Sequence, residues 1–403
     1  MGTSHLKNER GIALVLAIFA TVIIGALVAG AFFVGRVEQL TGSNTVWATQ
    51  ASGAAEAGLA DALATIDGVT YSAMPVWSSA SPTEYAIATR TVNGMPTLVY
   101  TDSVRRLNSS LFLVRSTGRK VTAGGMVLAS QTLAHWVRLA KPTIGVNAAV
   151  TVQDPITFNG NSLDVTGINT APPGWTAADC PTGYPDAGNT DDLVGVRSST
   201  TTGAGASDLN NIFGYPTKVV ANDPTITSTT FEDFLDYTFA TLANQPGVKV
   251  LPNTTPYNGV GPVADNTQTP AVCDKTAPLN LGEPTRPAVV PQCTGYFPVV
   301  HGTGAQLKFA AGTRGQGILL IDGDFEIAGG FEWSGLIIVR GKMKITGTGN
   351  KISGAILTEG VNVATAGSIA GNATISYSKC AIDRAVLGSA VPLPLSRGYA
   401  QLY

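Results

Sequence analysis

Charge is scarce in this 403-residue chain: Asp, Glu, Lys and Arg make up 13% of it, with 25 basic against 27 acidic residues. That is about half the usual share. Balanced, scattered charge leaves no electrostatic footprint for nucleic acid, which is set aside as a partner. Histidine is rarer still, and His5, His135 and His301 fall in no spaced metal or triad motif. The four cysteines, Cys180, Cys273, Cys293 and Cys380, form no C-x-x-C pair, so zinc ribbons and dithiol redox motifs have no support. Glycine-rich "GTGN" at 347–350 follows no strand-to-helix transition, which removes a phosphate-binding loop. Gly, Thr, Asn and Ser fill the space instead, as suits a β-rich exported surface.

One long hydrophobic run is present. In "NERGIALVLAIFATVIIGALVAGAFFVGR", residues 8–36, the 23 residues from Ile12 to Val34 carry no charge. At ~1.5 Å per residue they span a ~30 Å hydrocarbon core. A cleaved signal peptide usually has an apolar region of only ~7 to 15 residues, so this segment is too long for one. Lys7 and Arg10 precede it and keep the N-terminus cytoplasmic, with the remainder directed outward. The helical pattern continues: Trp47, Ala51, Ala54, Ala55, Gly58, Leu59, Ala62 and Ile66 recur at three- and four-residue steps. A single helix of about 55 residues, ~80 Å long, is expected to stop near Gly68. With the chain beyond it exported, four cysteines read as two disulfides; three pairings are open, and Cys273 with Cys293 is favoured because it closes a Pro-rich loop.

The leader ending Arg10-Gly11, the following "IALVLAIFATVIIG", and "AAEAGLADAL" at 54–63 together resemble the N-terminal region of PilX-type minor pilins. The resemblance covers roughly the first 66 residues. It implies a prepilin peptidase that cuts after Gly11 and methylates the new N-terminus at Ile12. It also implies a helix that serves first as a bacterial inner-membrane anchor and later as filament core, packed against other pilin-like subunits. Most major pilins place Glu at the fifth mature position, where this chain has Leu16. In the family that carboxylate is thought to neutralise a neighbour's terminal ammonium inside an apolar bundle, where an unpaired charge is costly. Its absence points to an accessory or tip subunit.

Farther out, "EYAIATRTVNGMPTLVYTDS" places Asn93-Gly94 between two strand-like runs, a hairpin signal. "SLFLVRSTGRK" and "GMVLASQTLAHWVRLA" follow as strands, with Ser116-Thr117-Gly118 read as the break between them. Residues 142–298 are rich in Pro, Thr, Asn and Gly and read as an insertion with one helix at 231–244, capped by Thr230 and Asp233. Near the C-terminus the chain repeats every 18 to 19 residues: "GILLIDGDFEIAGGFEWS" from Gly317, "GLIIVRGKMKITGTGNKIS" from Gly335, "GAILTEGVNVATAGSIA" from Gly354. Such a period predicts stacked β-solenoid coils, with "GNATISYS" from Gly371 as a partial fourth. The register would set Asp322 beside Arg340, Asp324 beside Lys342, Glu326 beside Lys344, and Arg340 beside Glu359. It would also turn Asn362 inward opposite Met343. This C-terminal part resembles bactofilin-like polymer-forming solenoids over about the last 85 residues.

Asp322, Asp324, Glu326 and Glu332 are the one carboxylate cluster placed for acid–base work on a solenoid face. Three of the four gain a basic neighbour in that register, which reads as a solvated ionic face, so no catalytic residue, cofactor or enzymatic activity is assigned. "PDAGNTDDL" at 185–193 has the oxygen density of a calcium loop at Asp186, Asn189, Asp191 and Asp192, without EF-hand spacing.

The sequence therefore predicts a mainly β protein with one long N-terminal α-helix. The layout is a leader at 1–11, a membrane or filament-core helix at 12–68, a pilin-like antiparallel unit at 69–141, the insertion at 142–298, a parallel β-solenoid at 299–383, and a tail at 384–403. The expected role is a minor pilin-like subunit, single-pass in the inner membrane and extracellular once assembled, acting in assembly priming, tip display or adhesion. A surface or carbohydrate ligand is left open. The alternatives are a membrane-anchored carbohydrate-active solenoid enzyme and a bactofilin-like cytoskeletal scaffold.

Overall fold

The computed structural model describes residues 9–65, 68, 71, 74–80, 82–154, 157–159, 163–180, 190–200, 208–253, 256–360, 368–370 and 372–402. The chain divides into two compact units. One comprises Met1–Thr65, Pro75–Arg138 and Pro394–Tyr403; the other comprises Ile66–Met74 and Leu139–Leu393.

The first unit is a long helix on an antiparallel sheet. Helix α1 runs Glu9–Thr65 without interruption. The sheet is built from β1 (Tyr85–Val92), β2 (Met95–Arg106), β3 (Leu111–Val121) and β4 (Val127–Ala140), in that order, with the C-terminal strand Val391–Leu402 outside β4. The β1–β2 hairpin turns at Asn93-Gly94, where Gly94 takes φ 74°. Alternate residues of β2 and β3 are buried beneath α1, whose buried face is Ala51, Ala54, Ala55, Leu59 and Ala62. A face of alanines lets the helix axis lie close to the sheet. Gly118 takes this furthest, since a Cβ there would sit 2.1 Å from the Ala51 carbonyl oxygen and 2.3 Å from the Ala55 nitrogen.

Two expectations are corrected here. Ser116-Thr117-Gly118 is no break: β3 runs straight through it, and the turn falls at 122–126. Gly118 is in mid-strand because the helix backbone leaves no room for a side chain. Nor is 384–403 a tail, because it ends in the strand Val391–Leu402, with Pro392 and Pro394 on a sheet edge, where missing N–H donors cost little.

The second unit is a parallel sheet whose repeats lie in register. Arg314–Ile321 pairs with Glu332–Thr346 at an offset of 18, and that strand pairs with Thr348–Gly360 at 19. Gly317, Gly335 and Gly354 form one column, at φ 110°, 136° and 146°. A Cβ at Gly335 would lie 2.2 Å from the Gly317 carbonyl oxygen, and one at Gly354 only 1.7 Å from that of Gly335, so each repeat needs glycine to seat on the last. The following apolar columns, such as Leu319, Ile337 and Ile356, are buried along their whole length, as in parallel strands covered on both faces. Phe309, Phe325, Phe331 and Trp333 fill the core with ring contacts of 5.6 to 6.2 Å. The helix Lys379–Gly388, capped by the Ser378 hydroxyl, packs Ile382 and Ala385 against the strands.

The boundary at 298 is also corrected. Strands Ala148–Val152, Val194–Ser198, Val219–Val220 and Lys249–Pro252 extend the same parallel sheet at its two ends, so much of 142–298 continues the stack. The helix expected at 231–244 is two single turns, Thr229–Glu232 and Phe239–Ala243, separated by the short paired strands Asp233–Phe234 and Tyr237–Thr238. Leu235 takes φ 59°, which no helix accommodates, and the Thr238 hydroxyl caps the second turn together with Thr241. Phe231, Phe234, Phe239 and Leu242 are buried all the same, so the apolar spacing satisfied the core without a continuous helix.

Candidate functional site

The most demanding surface is the N-terminal half of α1. From Leu14 to Val34 every Val, Leu, Ile and Phe is 44–76% exposed, Leu16 among them at 62%. Removing such a side chain from water is worth about 1.5–3 kcal/mol, so this half of the helix requires apolar surroundings. The segment is long and apolar enough to cross a membrane. Its Thr21 hydroxyl donates to the Ala17 carbonyl at 2.8 Å, which satisfies the donor within the helix. Gly11 and Ile12 lie inside α1, while residues 1–8 of the expected leader lie outside the described residues.

A second constellation is the ionic column on the parallel sheet. Asp322 and Arg340 approach to 3.8 Å, and His301 Nε2 lies 3.0 Å from Asp322. The stronger partner of Arg340 is Glu232, which accepts from Nε and Nη2 of the guanidinium, while the same group lies 4.2 Å above the Phe239 ring. Hydrogen bonding to Glu232 raises the Arg340 pKa further. Glu359 lies where the register slips between Val339 and Lys342, near enough to Arg340 to feel its charge, and burial together with the charge of Glu232 pushes its pKa up. Glu232 and Phe239 are 108 and 101 residues from Arg340, and no spacing pattern in the sequence could have joined them.

The other expected sites divide. Glu326 and Lys344 are register partners, but Glu326 accepts from Lys308 at 2.8 Å and Lys344 is exposed. Asp324 lies opposite Lys342 and accepts that residue's backbone N–H at 2.8 Å. Glu332 stands between Arg314 and Lys351, a base–acid–base column, and burial raises its pKa. The cysteines pair as Cys180–Cys380, which ties the C-terminal helix down, and Cys273–Cys293. Asp191 is engaged by Lys379 at 2.7 Å and Asp192 accepts the Asn169 N–H at 2.8 Å, while Asp186, Asn189 and Asn362 lie outside the described residues. Among the described residues no group of three His, Cys, Asp or Glu is arranged to hold a metal ion.

No family model matches this chain, and no curated protein matches it. Among solved structures it is similar to the competence-associated pilin ComZ from Thermus thermophilus, at 14% identity and a TM-score of 0.26, over 88% of this chain and 98% of that one. So loose a superposition carries no argument, and the reading below rests on the elements just described.

Proposed function

We propose that the chain is a minor, pilin-like structural subunit of a type IV pilus or related filament, acting in assembly priming, tip display or adhesion. One observation carries the proposal: a single helix has an exposed, charge-free run from Leu14 to Val34 and a second half fixed to an antiparallel sheet by a stripe of alanines and glycines. The first half would cross the inner membrane before assembly and pack against other pilin-like subunits after it. A prepilin peptidase would cut after Gly11 and methylate Ile12. With Leu16 in place of a carboxylate, the subunit cannot neutralise a neighbour's terminal ammonium, which favours an accessory or tip position over the filament body. The parallel repeats would form the β-solenoid displayed by this anchor, in a structural rather than catalytic role. Two disulfides support an exported location over a cytosolic scaffold.

The test is incorporation into filaments. The wild-type chain should appear in the sheared filament fraction, and Gly11→Val should keep the protein in the membrane with its leader attached. Equal recovery of wild type and Gly11→Val in filaments would refute the proposal.

A further inference from the structure

We propose that docking of α1 onto its sheet is controlled by a proton on Asp102: the contact is tight while that carboxyl is neutral and loosens when it ionises. The inference concerns the first unit alone and stands whether or not the chain joins a filament.

Asp102 lies in the middle of β2, between Ala88 on β1 and Ser116 on β3, and its residue is fully buried. It faces the helix at Gly58, where a Cβ would fall 2.5 Å from Asp102 Oδ1 and 2.2 Å from Ser116 Oγ. The glycine makes room for a carboxyl and a hydroxyl beneath the helix backbone. Neither Asp102 oxygen has a hydrogen-bond partner, and neither does Ser116 Oγ, although that hydroxyl lies near enough to temper the acid's charge. A buried carboxylate without donors is costly, whereas the neutral acid is tolerated.

The surrounding charges do not supply the missing partner. From α1 the facing group is Asp61, an acid that repels ionisation of Asp102. From β1 it is Arg90, which opposes that effect but donates to Asp61 at 2.6 Å. On β2 itself the Tyr100 hydroxyl donates to Asp61 at 3.2 Å. From β3 the buried residues are Phe112, Val114, Ser116 and Gly118, so Ser116 supplies the polar group; Arg115 and Arg119 lie on the alternate face of the strand, and Lys120 donates to the Thr97 hydroxyl at 2.7 Å. Burial first, and then Asp61, raise the Asp102 pKa.

The sign follows from proton linkage. With the folded pKa raised, the docked state holds one proton more than the open state at pH values between the two pKa values. Docking is therefore strongest below the ordinary Asp value of about 3.9 and weakens as pH rises toward the raised folded value, by up to tenfold per pH unit within that window. The departing proton passes to bulk water.

The experiment is amide hydrogen exchange of residues 48–63 in the full chain, in detergent micelles, from pH 4 to 8, corrected for intrinsic exchange. Wild-type protection should fall with pH across the window. Asp102→Asn should abolish the slope and be better protected than wild type at pH 7, and Asp61→Asn should move the window to lower pH. Asp102→Ala serves as a second variant whose slope is read the same way. An unchanged slope in Asp102→Asn, protection below wild type at pH 7, or loss of protection at every pH in both Asp102 variants would overturn the proposal.

Discussion

Replacing Gly118 by alanine should break the contact between α1 and its sheet, although the change adds a single methyl group. The new Cβ would lie 2.1 Å from the Ala51 carbonyl oxygen, 2.3 Å from the Ala55 nitrogen and 3.0 Å from the Ala54 carbonyl carbon. Real contacts of this kind stay beyond 3.0 Å, so the helix must retreat by about 1 Å, and no flexible side chain can move in its place. A gap of 0.5–1 Å forfeits about a quarter to a half of each dispersion contact. That loss would fall on Ala51, Ala54, Ala55, Leu59 and Ala62 together, and overpacking of this kind costs about 1–3 kcal/mol. Gly53 is the control on the same helix, because its Cβ would meet nothing within 4 Å. Gly53→Ala should stabilise the helix by about 0.5–1 kcal/mol through the reduced backbone entropy of alanine. Hydrogen exchange of residues 48–63 reads both changes locally, apart from unfolding of the second unit. Gly118→Ala protected as well as wild type, or Gly53→Ala less protected, would refute the reasoning.

Three further outcomes follow from the same geometry. Cys180→Ser with Cys380→Ser opens a link between residues 200 apart in sequence and should destabilise the second unit by about 2–5 kcal/mol, seen as a melting temperature below that of oxidised wild type, a difference that disappears when both proteins are reduced. Burial acts to raise the Glu84 pKa, but the Ser103 hydroxyl and the Arg115 and Arg105 guanidiniums together hold it below the ordinary value. Its contribution is therefore present above the unfolded Glu value of about 4.3 and is lost as pH falls through the folded value, so Glu84→Gln should flatten the acid limb of the first unit's stability profile. Arg340→Lys should destabilise the second unit nearly as much as Arg340→Ala, by about 1 kcal/mol, because lysine replaces neither the paired bonds to Glu232 nor the stacking over Phe239; full retention by lysine in a denaturation series would count against that.

Much of the fold was legible where one residue type recurs at a fixed interval. The alanine and glycine steps along α1 gave its buried face, and Asn93-Gly94 gave a hairpin whose geometry that dipeptide favours. The glycine columns of the repeat gave the offsets of 18 and 19, because a Cβ in those places would strike the preceding strand. Local reading failed where distant residues set the outcome. Gly118 looked like a strand breaker until the helix backbone above it was known. The Phe231 to Leu242 spacing looked helical because four apolar residues share one core, yet Leu235 breaks the helix and is itself 82% exposed. Strand Val391–Leu402 was hidden by its prolines, which an edge position tolerates. In the ionic column, sequence placed Asp322 and Arg340 together but could not supply Glu232 or His301.

The central claim is that the apolar first half of α1 is a processed filament helix. The mass of the N-terminal peptide, taken from protein isolated with assembled filaments, tests it most directly. The account predicts a peptide beginning at Ile12 with one methyl group on its terminal nitrogen; a peptide still carrying Met1 in functional filaments would contradict it.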